Sequence, residues 1–181
     1  KIKNSKILSD LNLKKEKYFV ASIHREENID NSKRFKTIIS SLNHIAEKYS
    51  LPVIFSVHPR TLKRLKSGKL EVNKNILLSK PLAFSDYISL QTHSTIVLSD
   101  SGTITEEASL LKFKAINMRE NHERPEGFEE GALILGGNSM EEIISSVELM
   151  LKSDFVPSVV SDYDVSNVSD KVVRIIKSYT D

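Results

Sequence analysis

The 181-residue sequence predicts an α/β protein built on a doubly wound parallel sheet. Two observations support this prediction. Short, nearly continuous apolar runs recur along the chain, and segments with apolar residues at helical spacing separate most of them. Strands that are apolar on both faces are typical of parallel sheets covered by helices on both sides. The chain length suits one domain with a proper core.

The predicted elements follow in chain order from this alternation. Strands rich in Val, Ile, Leu and Phe cover residues 17–23, 52–57, 75–79, 95–99, 114–118 and 132–136. Amphipathic helices are predicted over residues 32–49, 61–69, 84–91, 103–111 and 140–152. The last of these has the clearest start, because Ser139 and Glu142 have the spacing of a capping box. After a loop over residues 153–164, a helical pattern over residues 165–179 places Val and Ile on one face.

Composition excludes several classes of site and partner. The sequence has no cysteine, so disulfides, thiolate zinc sites and cysteine nucleophiles are excluded. The formal net charge is +2, and the basic stretches at residues 13–17 and 60–69 are not interleaved with aromatic residues. We therefore interpret them as solvated helix faces and expect no nucleic-acid partner. No apolar run approaches the roughly 20 residues of a membrane span, and no signal-peptide core follows the first lysines. We expect a cytoplasmic protein with no membrane partner.

Polar residues follow four of the predicted strands. They are "HREEN" at residues 24–28, "HPR" at 58–60, "DSG" at 100–102 and "RENHERPE" at 119–126. Doubly wound sheets bind their ligands at the carboxyl ends of the strands. The sequence therefore predicts a functional site where these four segments meet.

The "DSG" segment lies where a strand ends and a helix begins. The backbone N–H groups of Ser101, Gly102 and Thr103 are predicted to face the space above the sheet. Helix N-termini bind phosphate through unpaired N–H donors and the helix dipole. Because Gly102 has no Cβ, the backbone there can approach such a group closely.

Two adjacent glutamates, Glu106 and Glu107, follow one helical turn later. A carboxylate there can accept hydrogen bonds from vicinal hydroxyls, as the acid of a dinucleotide fold does with ribose. The pattern predicts a site for a phosphorylated sugar or a nucleotide. In the alternative interpretation, Asp100 and Ser101 only cap the helix and the glutamates only favour its start.

The neighbouring segments add basic groups with alternatives of their own. His24 and Arg25 follow a buried strand, where burial of their polar side chains costs free energy unless they meet an anion or one another. The alternative for His24 is a purely structural role. In "HPR", the alternative is that Pro59 ends the strand, with His58 capping and Arg60 exposed. 

The proline in "HERPEG" holds Arg124 extended, and its guanidinium suits phosphate oxygens. The alternative for this loop is an ion-pair network within it. The members of that network are Arg119, Glu123, Arg124 and Glu126.

Four motifs together resemble one known family. "SIHREENID", "SVHPRTLKRL", "SDSGTITEEASLL" and "HERPEG", in this order and spacing, resemble the C-terminal half of the non-hydrolysing UDP-N-acetylglucosamine 2-epimerases. The likeness runs over residues 11–152. The sequences "SDSGTITEEASLL" and "ENHERPEG" are most similar to the branch that forms UDP-N-acetyl-L-fucosamine, for capsule and O-antigen synthesis. The common branch has two glycines after the serine, whereas Thr103 takes the second place here.

The resemblance implies a fold of two Rossmann-like domains, as in GT-B glycosyltransferases, with the nucleotide sugar in the cleft between them. We then expect residues 1–13 to be a linker from a missing N-terminal domain, residues 14–154 to form the UDP-binding domain, and residues 155–181 to form a loop and a C-terminal helix. The absent initiator Met agrees with the removal of upstream residues. Family members are commonly dimers through the N-terminal domain, which leaves a homodimer of the full-length enzyme open.

The resemblance also implies roles for individual residues. Eight residues are implied in UDP binding: His24, Arg25, Tyr87, Ser101, Gly102, Thr103, Glu107 and Arg124. His24 and Glu123 are the implied catalytic contributors, with the main acid and base carboxylates in the missing domain. The implied reaction eliminates UDP to give a 2-acetamidoglucal and adds it back with inversion at C2. No metal or redox cofactor is implied, and the isolated chain is expected to be inactive.

Two other functions remain open at this point. A GT-B glycosyltransferase donor domain shares the diphosphate turn and the ribose-binding glutamate, although the "HERPEG" loop argues against it. A non-catalytic module that binds nucleotide sugars is the other possibility.

Overall fold

The computed structural model describes residues 2–120, 124–154 and 156–180, and its centre is a parallel sheet. Its strands are β1 (Phe19–Ser22), β2 (Val53–Ser56), β3 (Ile76–Ser79), β4 (Ile96–Ser99), β5 (Ala115–Asn117) and β6 (Ile134–Leu135). The order across the sheet is β3-β2-β1-β4-β5-β6, and every described pairing is parallel. The direction of winding therefore reverses between β1 and β4, which is where such folds bind ligands.

Helices cover both faces of this sheet. They are α1 (Ile7–Asp10), α2 (Glu26–Ile29), α3 (Ser32–Tyr49), α4 (Pro59–Ser67), α5 (Phe84–Thr92), α6 (Ile104–Leu111), α7 (Pro125–Glu129), α8 (Met140–Lys152) and α9 (Val168–Tyr179), with a 3-10 turn at Ile2–Asn4. The predicted helices and strands are all present in the described residues, with ends shifted by a few positions.

Alternation along β1 explains why both faces are covered. Phe19 and Ala21 are buried in one cluster with side chains of α3 and α8, whereas Tyr18 and Val20 are buried in a second cluster with side chains of α5 and α6. Successive apolar residues that point to opposite faces cannot leave either face in water, so helices must pack on both. The prediction of a doubly wound parallel sheet is confirmed.

Two predicted helix starts can be compared with the structure. The capping box of α8 is present: the Ser139 hydroxyl accepts from the Glu142 N–H, and the Glu142 carboxylate accepts from the Ser139 N–H. In contrast, α4 begins at Pro59 rather than at residue 61. His58 caps it by accepting from the Arg60 N–H at 3.3 Å, and proline at the first helical position lacks only an N–H that would be unpaired anyway.

Short helices were missed where the sequence suggested loops. The polar segments after β1 and before β6 contain α2 and α7, of four and five residues. Helices of one turn carry too few residues to show a hydrophobic period.

The two ends of the chain differ in how they pack. The N-terminal segment lies against α5, where the Ser5 hydroxyl donates to Asp86 Oδ1 at 2.6 Å and Ile7 is buried. At the other end, α9 has no buried residue, although Val172, Val173 and Ile176 lie along it. Within the described ranges, none of the helices has the length and apolar character needed to span a bilayer.

Candidate functional site

The turn between β4 and α6 offers backbone donors at the carboxyl edge of the sheet. The Ser101 N–H is bonded to the Ser99 hydroxyl at 3.1 Å, but the N–H groups of Gly102 and Thr103 make no hydrogen bond to any described residue. No side chain caps α6, which begins at Ile104. The interpretation of Asp100 and Ser101 as caps of this helix is therefore wrong. The turn has free N–H donors at the positive end of a helix.

Two guanidinium groups lie over Gly102. A Cβ at this position would be 2.9 Å from Nη1 of Arg124 and 3.2 Å from Nη2 of Arg25. Arg25 precedes α2 and Arg124 precedes α7, so segments far apart in sequence bring both cations to the same turn. Such close approach requires the missing side chain of glycine. Two cations above free N–H groups make a site for an anion with several oxygens.

The Arg124 side chain is held from α6 itself. Its Nε lies 2.6 Å from Oε1 of Glu106, and both side chains are about one-third exposed. Glu106, for which the sequence predicted no role of its own, thus anchors the arginine. Anchoring through Nε leaves the Nη1 end of the guanidinium over Gly102.

Glu107 is oriented by donors on two elements. Thr103 Oγ1 donates to its Oε1 at 2.9 Å, and Gln91 Nε2 donates to its Oε2 at 2.9 Å. The Thr103 hydroxyl in turn lies 3.1 Å from that of Ser101. The carboxylate is therefore fixed, and each of its oxygens retains a lone pair for a further donor.

Tyr87 lies in α5, beside the reversal point of the sheet. Its hydroxyl is buried and has no hydrogen-bond partner among the described residues. Burial is the main cause that raises the pKa of Tyr87 to about 12, while the neighbouring Ser22 and Ser99 hydroxyls act to lower it. The phenol is therefore neutral at physiological pH and close to the ends of β1 and β4.

His24 pairs with a fully buried carboxylate across the reversal point. His24 follows β1 and Asp100 follows β4; Nδ1 of the ring is 3.1 Å from Oδ1 of Asp100. Asp100 also accepts from the backbone N–H groups of His24 and Arg25. The histidine is 45% exposed on its side chain while the aspartate is inaccessible. The anion that was expected to meet His24 is thus a carboxylate of the protein itself, that of Asp100.

The charged loops pair beyond their own segments. Arg119 Nε bonds to Glu27 Oε1 at 3.1 Å, so this arginine reaches α2. Glu126 accepts from the Tyr163 hydroxyl at 2.7 Å, a bond that holds the pKa of Glu126 below its usual value. Glu123, the second predicted catalytic residue, lies outside the described residues.

The "HPR" segment has a structural role here. His58 caps α4, and Arg60 bonds to the carboxylates of Glu26 and Asp30 at 2.6 Å each. This matches the interpretation of His58 as a cap and Arg60 as a surface residue.

The predicted nucleotide-binding residues converge at one edge of the sheet. The members of this group are His24, Arg25, Tyr87, Ser101, Gly102, Thr103, Glu107 and Arg124. Sequence reasoning missed Gln91 and the anchoring role of Asp100. An aspartate just beyond the apolar run at residues 96–98 was the available signal for the second. The part of the chain that the structure describes holds no cluster of three His, Asp or Glu side chains suited to a metal ion.

Comparison with known proteins identifies the family. A family model described as UDP-N-acetylglucosamine 2-epimerase matches residues 1–177. The chain belongs to this epimerase family. It is 44% identical over 138 residues to a UDP-N-acetylglucosamine 2-epimerase of Methanocaldococcus jannaschii, a match that covers 74% of this chain and 38% of that protein.

Solved epimerase structures have the same fold as this family member. A crystal structure of the M. jannaschii UDP-GlcNAc 2-epimerase in complex with UDP-GlcNAc and UDP superposes with a TM-score of 0.83 at 36% identity, covering 97% of this chain and 49% of that one. The epimerase of Rickettsia bellii gives a TM-score of 0.83 at 38% identity, with 98% and 48% covered. The chain spans about half the length of these solved relatives.

Proposed function

We propose that this chain is the UDP-binding half of a UDP-2-acetamido-sugar 2-epimerase. One observation carries the proposal: the Arg25 and Arg124 guanidiniums lie over Gly102, beside two backbone N–H groups that have no partner among the described residues. The complex of the M. jannaschii relative with UDP-GlcNAc and UDP supports a nucleotide sugar as the ligand class.

The diphosphate binds at the turn before α6 in this proposal. Its oxygens accept from the Gly102 and Thr103 N–H groups and from the two guanidiniums. The same donors stabilise the negative charge that grows on UDP as it leaves. Fixed donors in a partly dry site stabilise such charge strongly, because they need no reorganisation during the reaction.

The nucleoside binds along α6 and α5. Glu107 accepts from both ribose hydroxyls, since Thr103 and Gln91 already orient its two oxygens. The uracil lies near Tyr87, which is close to Glu107. A site of this form distinguishes UDP from uridine through its cations and UDP from inorganic diphosphate through its carboxylate.

The reaction breaks the bond between C1 and the diphosphate oxygen and removes the proton from C2. A double bond forms between C1 and C2, which gives UDP and a 2-acetamidoglucal; re-addition of UDP and a proton on the other face inverts C2. Abstraction of a weakly acidic C2 proton needs a positioned base. We place the main carboxylates for that step in a second, N-terminal domain, with His24 and Glu123 as contributors from this half.

The polypeptide divides into three parts in this proposal. Residues 1–13 are a linker from an N-terminal domain, residues 14–154 are the UDP-binding domain, and residues 155–181 are a loop and a C-terminal helix. One wall of a cleft cannot exclude water from the sugar, so the chain alone is expected to bind UDP without turnover. Thr103 and the "ENHERPEG" motif favour the fucosamine-forming branch, and hence a role in capsule or O-antigen synthesis.

Amide shifts of the ¹⁵N-labelled chain on titration with UDP test the location of the site. Perturbations should concentrate at residues 101–107, at His24 and Arg25, and near Arg124. UDP-GlcNAc in D₂O should show no exchange at C2 with this chain alone. Perturbations centred on the opposite edge of the sheet, or none at saturating UDP, would overturn the proposal.

A further inference from the structure

Three buried polar side chains extend from the site into the protein. Asp100 and Asn28 are fully buried, and Arg34 is 5% exposed. Asn28 Nδ2 donates to Asp100 Oδ2 at 3.0 Å, and Arg34 Nε donates to Asn28 Oδ1 at 3.1 Å. These groups form a line from α3, through α2, to the end of β4. The diphosphate and ribose contacts proposed above use neither Asn28 nor Arg34.

The Asp100 carboxylate is surrounded by donors that fix its plane. Oδ2 accepts from the Arg25 N–H at 2.9 Å and from Asn28, whereas Oδ1 lies 3.1 Å from Nδ1 of His24. A buried carboxylate that is fixed in this way can only accept from the ring. At this separation the carboxylate stabilises the ring form in which the facing nitrogen, Nδ1, carries the proton. In the neutral ring this leaves Nε2 with a free lone pair.

Arg34 determines which way the Asn28 amide faces. An amide could present either its oxygen or its nitrogen to Asp100. The Arg34 donor at Oδ1, together with the Met118 carbonyl that accepts from Nδ2 at 2.9 Å, makes only one orientation favourable. Arg34 Nη2 also donates to that carbonyl at 3.2 Å. Reversal of the amide would place its oxygen against the Met118 carbonyl and the carboxylate.

We propose that Asn28 and Arg34 are positioning residues that hold His24, through Asp100, as the Nδ1–H tautomer with Nε2 free to accept a hydrogen bond from the ligand. Neither residue touches the ligand. This inference rests on the proposed function, because it is the nucleotide-sugar site that gives an accepting His24 its use. In serine proteases a buried aspartate selects the histidine tautomer in the same way, and its loss leaves the wrong tautomer.

Long-range ¹H–¹⁵N correlation spectra of the ¹⁵N-labelled chain test the inference directly. His24→Gln identifies the His24 signals among those of the five histidines. The wild-type ring should show the Nδ1–H pattern. Asn28→Ala should shift His24 toward the Nε2–H pattern. Arg34→Met should give a mixture of the Nδ1–H and Nε2–H tautomers. Arg34→Lys keeps a donor and a positive charge, so it should retain the wild-type pattern.

Asn43→Ala is the matched control for loss of an asparagine. Asn43 lies in α3 and bonds to the backbone of Glu71 and Asn73, away from Asp100, so its loss should leave His24 unchanged. A dispersed amide spectrum verifies that each variant is folded. An Nε2–H ring in the wild type, or an unchanged ring in folded Asn28→Ala and Arg34→Met, would overturn the inference. If Asn28→Ala does not fold, the wild-type pattern and Arg34→Met still decide it.

These spectra are recorded without nucleotide, so they separate the two proposals. If Asn28→Ala and Arg34→Met shift the His24 tautomer but the wild-type chain does not bind UDP, the positioning role stands and the proposed function is rejected. If the variants leave the tautomer unchanged and the wild-type chain binds UDP, the proposed function stands and the positioning role is rejected.

Discussion

The Thr103 hydroxyl donates a hydrogen bond of 2.9 Å to Oε1 of Glu107, one helical turn further along the chain. Gln91 donates to the other oxygen of the same carboxylate. Thr103 stands where the common branch of the family has a second glycine, which has no hydroxyl. In this chain the carboxylate is thus already oriented before a ligand arrives.

Thr103→Val should weaken UDP binding about fivefold. The change removes the hydroxyl at nearly constant volume and leaves Glu107 with the Gln91 donor alone; because that donor still holds the carboxylate, we expect about 1 kcal/mol of the bond's contribution to reach UDP binding. Calorimetric titration measures the effect. Thr37→Val, in α3, is the matched control and should bind UDP as the wild type does. Equal affinities of Thr103→Val and wild type would show that the hydroxyl does not prepare Glu107.

Gly102→Ala should weaken UDP binding by about tenfold or more. The added Cβ would lie 2.9 Å from Arg124 Nη1 and 3.2 Å from Arg25 Nη2, so both guanidiniums must move from the turn. Urea unfolding should show little loss of stability. Gly102 is not among the positive-φ glycines, and the ends of arginine side chains are flexible. Loss of stability without loss of UDP affinity would contradict the assignment of this glycine to an anion site.

Gly127→Ala should destabilise the protein by roughly 1–3 kcal/mol, the typical cost of overpacking. A Cβ there would lie 2.0 Å from Cγ2 of Thr105, so α7 and α6 must separate. Thr105→Ser removes that methyl group, and the double variant should recover part of the loss. A double-mutant cycle by urea unfolding measures the coupling. Additive effects would show that the two side chains do not restrict each other.

Glu142→Gln should lower thermal stability at pH 7, and the loss should shrink as pH falls below about 4.5. The backbone N–H groups of Ser139 and Asn138 hold the pKa of Glu142 below its usual 4.5. Because the folded pKa is the lower one, the stabilisation is present above about pH 4.5 and disappears as pH falls through the folded value. Thermal unfolding at several pH values measures this. Glu141→Gln, outside the capping box, should show no such dependence; a stability difference for Glu142→Gln that stays constant as pH falls from 7 until the protein unfolds would contradict the account.

Local signals made parts of this protein predictable. Ser139 and Glu142 are three residues apart, so the start of α8 could be derived from the sequence and is confirmed. The gathering of strand-end residues followed from the parallel sheet, since all carboxyl ends lie at one edge. In contrast, α2 and α7 are too short for a periodic signal.

Contacts between distant segments were not predictable in the same way. Asp100 bonds to groups 72 to 76 residues away, and the sequence around it has the form of an ordinary helix cap. Gln91 reaches Glu107 from another helix, and no local pattern marks it. The positions of such partners depend on the packing of the whole sheet.

Calorimetric titration of this chain with UDP and with uridine, alongside Glu107→Ala, tests the central claim most directly. The account predicts that UDP binds, that uridine binds at least about tenfold more weakly without the diphosphate contacts, and that Glu107→Ala loses about 10- to 100-fold, as expected for hydrogen bonds to a charged group. Equal binding of UDP and uridine, or a Glu107→Ala variant with wild-type affinity, would contradict it.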